Sequence, residues 1–322
     1  MHPLIARIHP AFRIALTAWL LSRGALWLLR GTGSGELANG APLPGVIAAL
    51  LEQAMTGVST QAMTSAIQLF PWVVLELLVL WAGVAVYRFA RTTDLPQVAE
   101  RACWLWFFNP LLAFHFLDWG TQMAVAAGTL AVSCLVTRRP RLAAMAAVIA
   151  VGCRLEFVLL WPALALAGWH QYRHNGDAPE SFWLPAAVIP AAFSAWIATS
   201  WHLAGTLDTS LRAVHGDLIW RDAASWMPTS MGEWILFAAL PAGLFLALGY
   251  ARRLPRWYVF AALPLLLWPL LQIPAHHAAI VLAWSLPTFT HLAIATDDRS
   301  LERALLAGFV VGFCAVAVSL PI

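Results

Sequence analysis

Long apolar runs separated by short polar or arginine-bearing turns recur along the whole chain, with lengths suited to membrane-crossing helices rather than strands. The pattern predicts about eleven helices, at 11–29, 70–87, 102–117, 120–137, 142–153, 157–170, 182–202, 233–251, 257–273, 278–295 and 304–320. Most approach the roughly 20 residues that a helix needs to cross a hydrocarbon core. Residues 142–170 are the exception: they must leave and return to an arginine-flanked side within fewer than thirty residues. That is too short for two full spans, so the stretch reads as a short hairpin broken near Arg154. No polar stretch is large enough for a soluble domain, and residues 1–322 read as one all-α, polytopic membrane domain. The opening "MHPLIARIHP" resembles the basic region of a signal peptide, but a long apolar run follows without a nearby small-x-small cleavage site. The first helix is therefore expected to stay attached.

Composition points the same way: 61% hydrophobic residues, 11% charged residues and a mean hydropathy of +0.73 lie outside the usual range of soluble domains. All 19 basic residues are arginine, and their placement sets the expected orientation. With the N-terminus inside, the inner segments carry Arg7, Arg13, Arg88, Arg91, Arg101, Arg138, Arg139, Arg141, Arg173, Arg252, Arg253, Arg256, Arg299 and Arg303. The outer side keeps Arg30, Arg212 and Arg221, so positive-inside asymmetry predicts an N-in, C-out protein. The net charge of +3 thus reflects orientation, and no basic cluster interleaved with aromatics suggests nucleic acid. Cys103, Cys134, Cys153 and Cys314 lie in apolar segments without metal-ligand spacing, as small packing residues do. Many of the 18 Trp fall near predicted helix ends, where amphipathic rings anchor at the interface.

Candidate chemistry collects toward the outer face. Two outer loops are long, 30–69 and 203–232. The first contains Glu36, Glu52 and an amphipathic run, "GVIAALLEQAMTGV"; the second mixes Asp208, Arg212, His215, Asp217, Arg221, Asp222 and Glu233 with Trp220, Trp226 and Trp234. Trp beside acids and arginines suits a sugar or a phosphate. Ionisable groups within membrane spans are costly and face a partner or a water-filled cavity. Arg23 lies two turns from the outer end of the first helix, and Asp118 sits at the outer turn between the third and fourth, one helical turn after His115. Arg154 and Glu156 fall in the hairpin, where Arg154 either lines a ligand cavity or forms an ion pair with Glu156 or Asp118 that ties helices together. His276 and His277 are expected at the outer turn between the ninth and tenth helices; adjacent histidines point apart, and no third ligand supports a metal. One of them facing a phosphate is the better use. Asn109–Pro110 reads as a kink.

Several stretches, taken in order, resemble the GT-C superfamily of polytopic glycosyltransferases, and within it the PIG-V-like mannosyltransferases and their bacterial relatives. They are "ALTAWLLSRGALWLL", "IQLFPWVVLELL", "YRFARTTDLPQVAERACWLWFFNPLLAFHFLDWGTQMAVA", "AVGCRLEFVLLWPALAL" and "SLRAVHGDLIWRDAASWMP". The resemblance implies a transferase that moves a sugar, mannose-type, from a polyprenyl-phosphate donor to a lipid or protein acceptor on the outer face. It also implies an acid in the first outer loop, usually the Asp of a Trp-Asp pair. Here only Glu52 stands in that place, and its aromatic neighbours are missing. At the outer turn the family's Tyr-x-Glu is matched by Trp119 to Thr121 without the acid, though Asp118 lies beside it. An attacking hydroxyl needs a carboxylate to take its proton, a role open to Glu52 or Asp118. A departing lipid phosphate needs cationic donors, for which Arg154 and Arg221, with His276 or His277, are the candidates. Trp220 and Arg23 complete the proposed substrate-facing set.

Two readings remain open on the sequence. One is an active glycosyltransferase; the other is a non-catalytic GT-C-like scaffold or subunit of a larger membrane complex, which the altered acidic motifs favour. A transporter would show repeated hydropathy and paired broken helices, and the chain shows one short hairpin. No cofactor is expected and no ligand set supports a divalent metal. The expected partners are a polyprenyl-phosphate-linked sugar, its lipid or protein acceptor and membrane lipids, and the arginine- and alanine-rich composition suggests a bacterial inner membrane.

Overall fold

A computed structural model describes residues 9–30, 61–93, 96–109, 119–153 and 155–204, together with 303, 307, 310–315 and 318. These residues are helical, with no strand among them. The elements up to residue 204 are α1 (Pro10–Arg30), α2 (Gln61–Thr93), α3 (Pro96–Phe107), α4 (Trp119–Val136), α5 (Pro140–Cys153), a 3-10 segment (Leu155–Leu160), α6 (Trp161–Asn175) and α7 (Glu180–Ala204). Within α2, Trp72–Arg91 spans 20 residues at a mean hydropathy of 1.9, long and apolar enough to cross a membrane. Gln122–Val136 and Pro140–Cys153 are shorter apolar helices.

Small side chains determine how closely the helices pack. On α1 the buried positions Ala11, Ala15, Ala18, Ser22 and Leu26 recur every three or four residues, forming one narrow stripe that lets α2 approach. The facing stripe of α2 is Leu75, Val79, Ala82, Val86 and Ala90. The α4 and α5 helices meet through Ala143, Ala146, Ala147 and Ala150 of α5, all buried. Gly128 of α4 leaves room for the Phe157 ring, whose Cε1 lies 2.6 Å from where a Cβ would stand. Phe157, at 0% exposure, thereby fixes the 3-10 segment against α4. The interior is alanine-rich, and several large apolar side chains, among them Leu21, Leu77 and Met145, are more than half exposed among the described residues.

The turns follow from backbone chemistry. The α4 helix ends with Arg138 in the left-handed region, φ 60°, while the Arg139 amide donates to the Cys134 carbonyl at 2.8 Å and the Gln171 side chain donates to the Leu135 carbonyl at 2.9 Å. Pro140 then starts α5, where its missing N–H costs nothing. Gly176, at φ 68°, stops α6. In α7, Pro185 and Pro190 each lack an N–H and so free the carbonyl four residues earlier. The Ala186 carbonyl is taken by the Trp161 indole N–H at 3.0 Å. The Ser181 carbonyl lies against the α-carbon of Gly168, where only a residue without Cβ fits.

Several boundaries differ from the sequence pattern, including the α2 end at Thr93 and both ends of α6 (Trp161–Asn175). The α2 helix begins at Gln61, so residues 61–69 of the stretch expected as an outer loop are helical, because its Gln, Thr and Ser are adequate helix formers once the apolar helix continues them. The helix expected at 102–117 begins at Pro96, which suits a first helical position, and ends at Phe107. Asn109 lies outside the helix, as the residue before a proline tends to, while Pro110, and with it the kink expected at Asn109–Pro110 and the rest of the expected 102–117 helix, lies outside the described residues. The break expected near Arg154 matches the α5 end at Cys153 and the 3-10 segment that starts at Leu155. The helices expected at 233–251, 257–273 and 278–295 lie outside the described residues. Of the last, 304–320, residues 310–315 are helical, and Phe313 packs on Phe108 with ring centroids 5.3 Å apart.

Candidate functional site: a buried charge cluster between three helices

The α1 stripe places Trp19, Ser22 and Arg23 on adjoining positions of one helix face, three and four residues apart. Arg23 is 5% exposed, and it reaches across to α2 and α4. Its Nε donates to Glu76 Oε2 at 2.8 Å, and its Nη2 donates to Gln122 Oε1 at 2.9 Å. The same carboxylate oxygen accepts from the Trp19 indole N–H at 2.7 Å. Ser22 turns its hydroxyl back to the Trp19 carbonyl at 3.0 Å, which removes it from the cluster. One cation, one anion, one amide and one indole thus join three helices through short hydrogen bonds. A guanidinium enclosed this way needs its counter-charge, since an unpaired ion in an apolar surrounding is far more costly than a paired one.

Glu76 is not fully enclosed. Its side chain is 23% exposed, and Oε1 has no hydrogen-bond partner among the described residues. The indole and guanidinium thus hold the carboxylate by Oε2. Gln122, 1% exposed, occupies the first turn of α4, four residues after Asp118 in the chain. Arg23 lies seven residues, or roughly 10 Å of helix, before the end of α1. The cluster thus occupies the end of the bundle opposite Arg88, Arg138, Arg139 and Arg141.

Of the residues singled out in the sequence, Arg23 falls within the described structure, at the centre of this cluster. Glu52, Asp118, Arg154, Trp220, Arg221, His276 and His277 lie outside the described residues, and the side chain of Glu156 does too. Glu76, Gln122 and Trp19 were not singled out. Glu76 had a signal: it is the one acidic residue between Trp72 and Arg91, and a lone carboxylate in an apolar helix requires a cation elsewhere. Among the described residues no three His, Cys, Asp or Glu side chains come together as a metal site.

The arginine-rich end is organised differently. Arg141 makes a two-pronged contact with Glu180, both bonds at 3.0 Å, and Arg138 lies 3.3 Å from Asp177. Glu180 titrates below the usual carboxylate range because of its hydrogen bonds from Arg141 and, second, the guanidinium charge. No protein-family model, curated protein or solved structure matches the chain.

Proposed function

We propose that the chain is a polytopic membrane glycosyltransferase of GT-C type that moves a mannose-type sugar from a polyprenyl phosphate to a lipid or protein acceptor. The observation that carries this reading is the Arg23–Glu76–Gln122 cluster, a buried ion pair at the end of the bundle remote from the arginine-rich turns. Asp118 directly precedes the helix that carries Gln122, and the segment between α1 and α2 carries Glu52, so both candidate bases follow in sequence from elements that meet at the cluster. Arg154 follows α5 in the sequence, and the helix's last residue, Cys153, lies about 18 Å along it from Arg141. In this reading Glu52 or Asp118 takes the proton of the acceptor hydroxyl, while Arg154 and Arg221 stabilise the departing phosphate. Arg23 and Glu76 position the helices that carry these groups.

A second reading, a non-catalytic scaffold with the same architecture, is favoured by one feature: both anchoring donors of Arg23 end on protein groups, as in a purely structural tie. Transfer of labelled hexose from polyprenyl-phosphate hexose by the chain in nanodiscs separates the two. The transferase reading expects transfer that falls at least a hundredfold, an ordinary loss for a missing general base, in Glu52→Gln or Asp118→Asn with the fold intact. No transfer by the unaltered chain would leave the scaffold reading, whereas transfer equal in the parent and both variants would overturn Glu52 and Asp118 as the base.

A further inference from the structure

Two cavities meet at the arginine-rich end. The larger, about 580 Å³, is a groove along α2 lined by apolar side chains including Phe12, Leu77, Trp81, Val84 and Ile149, with His9 and Arg88 at its end. From Val74 to Arg88 its floor follows fourteen residues of helix, about 21 Å, more than the ~15 Å that one leaflet of hydrocarbon occupies. The smaller, about 220 Å³, shares His9, Trp81 and Arg88 with it and adds Ser133, Thr137 and Arg139. The three shared residues set the polar recess beside the end of the apolar groove.

Among the described residues the recess holds no carboxylate. Its neighbours Arg138 and Arg141 are engaged by Asp177 and Glu180, whereas Arg88 and Arg139 make no ion pair among the described residues, and both are exposed. His9 accepts the Ala11 amide at Nδ1, 3.2 Å, which leaves Nε2 as a donor. Two guanidiniums and an imidazole N–H around a polar recess suit a phosphate, and Arg is well shaped to bind one. The apolar groove leading away from that recess suits a hydrocarbon chain.

We propose that this end of the bundle binds one anionic glycerophospholipid, its phosphate at His9, Arg88 and Arg139 and one acyl chain in the groove along α2. The site is distinct from the Arg23 cluster, and it rests on the membrane placement in the proposed function but not on the transferase activity. Two arginines at a bilayer surface favour an anionic over a zwitterionic headgroup by about 30-fold.

The test is native mass spectrometry of the full chain in detergent, titrated with phosphatidylglycerol, phosphatidylcholine or inorganic phosphate. The proposal expects retained phosphatidylglycerol at about 30-fold preference over phosphatidylcholine, and no retained inorganic phosphate. Arg88→Gln with Arg139→Gln abolishes the preference. Arg91→Gln, an exposed arginine of the same helix end that lines neither cavity, leaves it unchanged. Equal retention of both lipids, or an equal loss in Arg91→Gln, overturns the site and shows at most a diffuse charge effect. Retention of inorganic phosphate alone overturns the lipid in favour of a free anion. Carbonate extraction separates the layers of the argument: release of the chain from membranes overturns the membrane placement and the lipid site together, whereas a retained chain without lipid preference overturns the lipid site alone.

Discussion

Replacing Arg23 by Met removes the cation from a cluster whose other members stay in place, and the geometry sets the size of the effect. Nε lies 2.8 Å from the Glu76 oxygen, and Arg23 is 5% exposed. With charge centres about 4 Å apart and an effective dielectric constant near 20, the attraction is about 4 kcal/mol. That agrees with the ~3–5 kcal/mol lost when one partner of a buried pair is removed. Glu76→Gln should cost a similar amount, since it leaves the guanidinium enclosed without its anion. The double substitution carries no buried charge, and its amide oxygen still accepts from the Trp19 indole. It should therefore cost only about 1–2 kcal/mol, the scale of an altered hydrogen-bond set, so the two single losses fail to add by about 4 kcal/mol or more. Unfolding by sodium dodecyl sulfate from dodecylmaltoside micelles, followed by Trp fluorescence, measures all three variants. Losses that add to within about 0.5 kcal/mol would refute the reasoning, because charges in contact cannot behave as independent sites.

Gly168→Ala should destabilise by about 1–3 kcal/mol, the usual cost of overpacking, because the new methyl meets the Ser181 carbonyl of α7; a denaturation midpoint equal to the parent's would contradict that contact. Trp161→Phe leaves the Ala186 carbonyl without its indole donor and should cost about 1 kcal/mol in the same assay. The folded-state pKa of Glu180 is lowered by Arg141, so the pair's stabilisation is fully present above the ordinary carboxylate value of 4.5 and is lost as pH falls through the lowered value. Acid unfolding curves of the parent and Arg141→Gln should converge below that window and separate above it; curves that run parallel throughout would contradict the assignment.

Helix limits were legible where the sequence carries both an apolar period and a stop. The α1, α4 and α5 helices match the pattern within two residues, since arginines and Pro140 bracket them. The α3 helix did not: it begins six residues before the pattern's start, at Pro96, and ends at Phe107 although apolar side chains continue past Asn109 in the sequence. The short hairpin was legible from length alone: 29 residues between two arginine-flanked turns cannot cross twice. At the site, the sequence marked Arg23 as an intramembrane charge but not its partners. Glu76 stands 53 positions away on another helix, and Gln122 stands 99 positions away on a third. Hydropathy carries no information about which charges face each other across helices, so the pairing emerges only when the helices pack.

The transferase reading makes a direct demand on bound lipid, since in it Arg154 must contact a polyprenyl phosphate. Lipid extracts of the chain purified in mild detergent, examined by mass spectrometry beside those of Arg154→Gln, test it. The account predicts an isoprenoid phosphate carried by the parent and depleted at least tenfold in the variant, the effect of about 1.4 kcal/mol from one phosphate contact. An extract without isoprenoid phosphate, or with equal amounts in both, would contradict it.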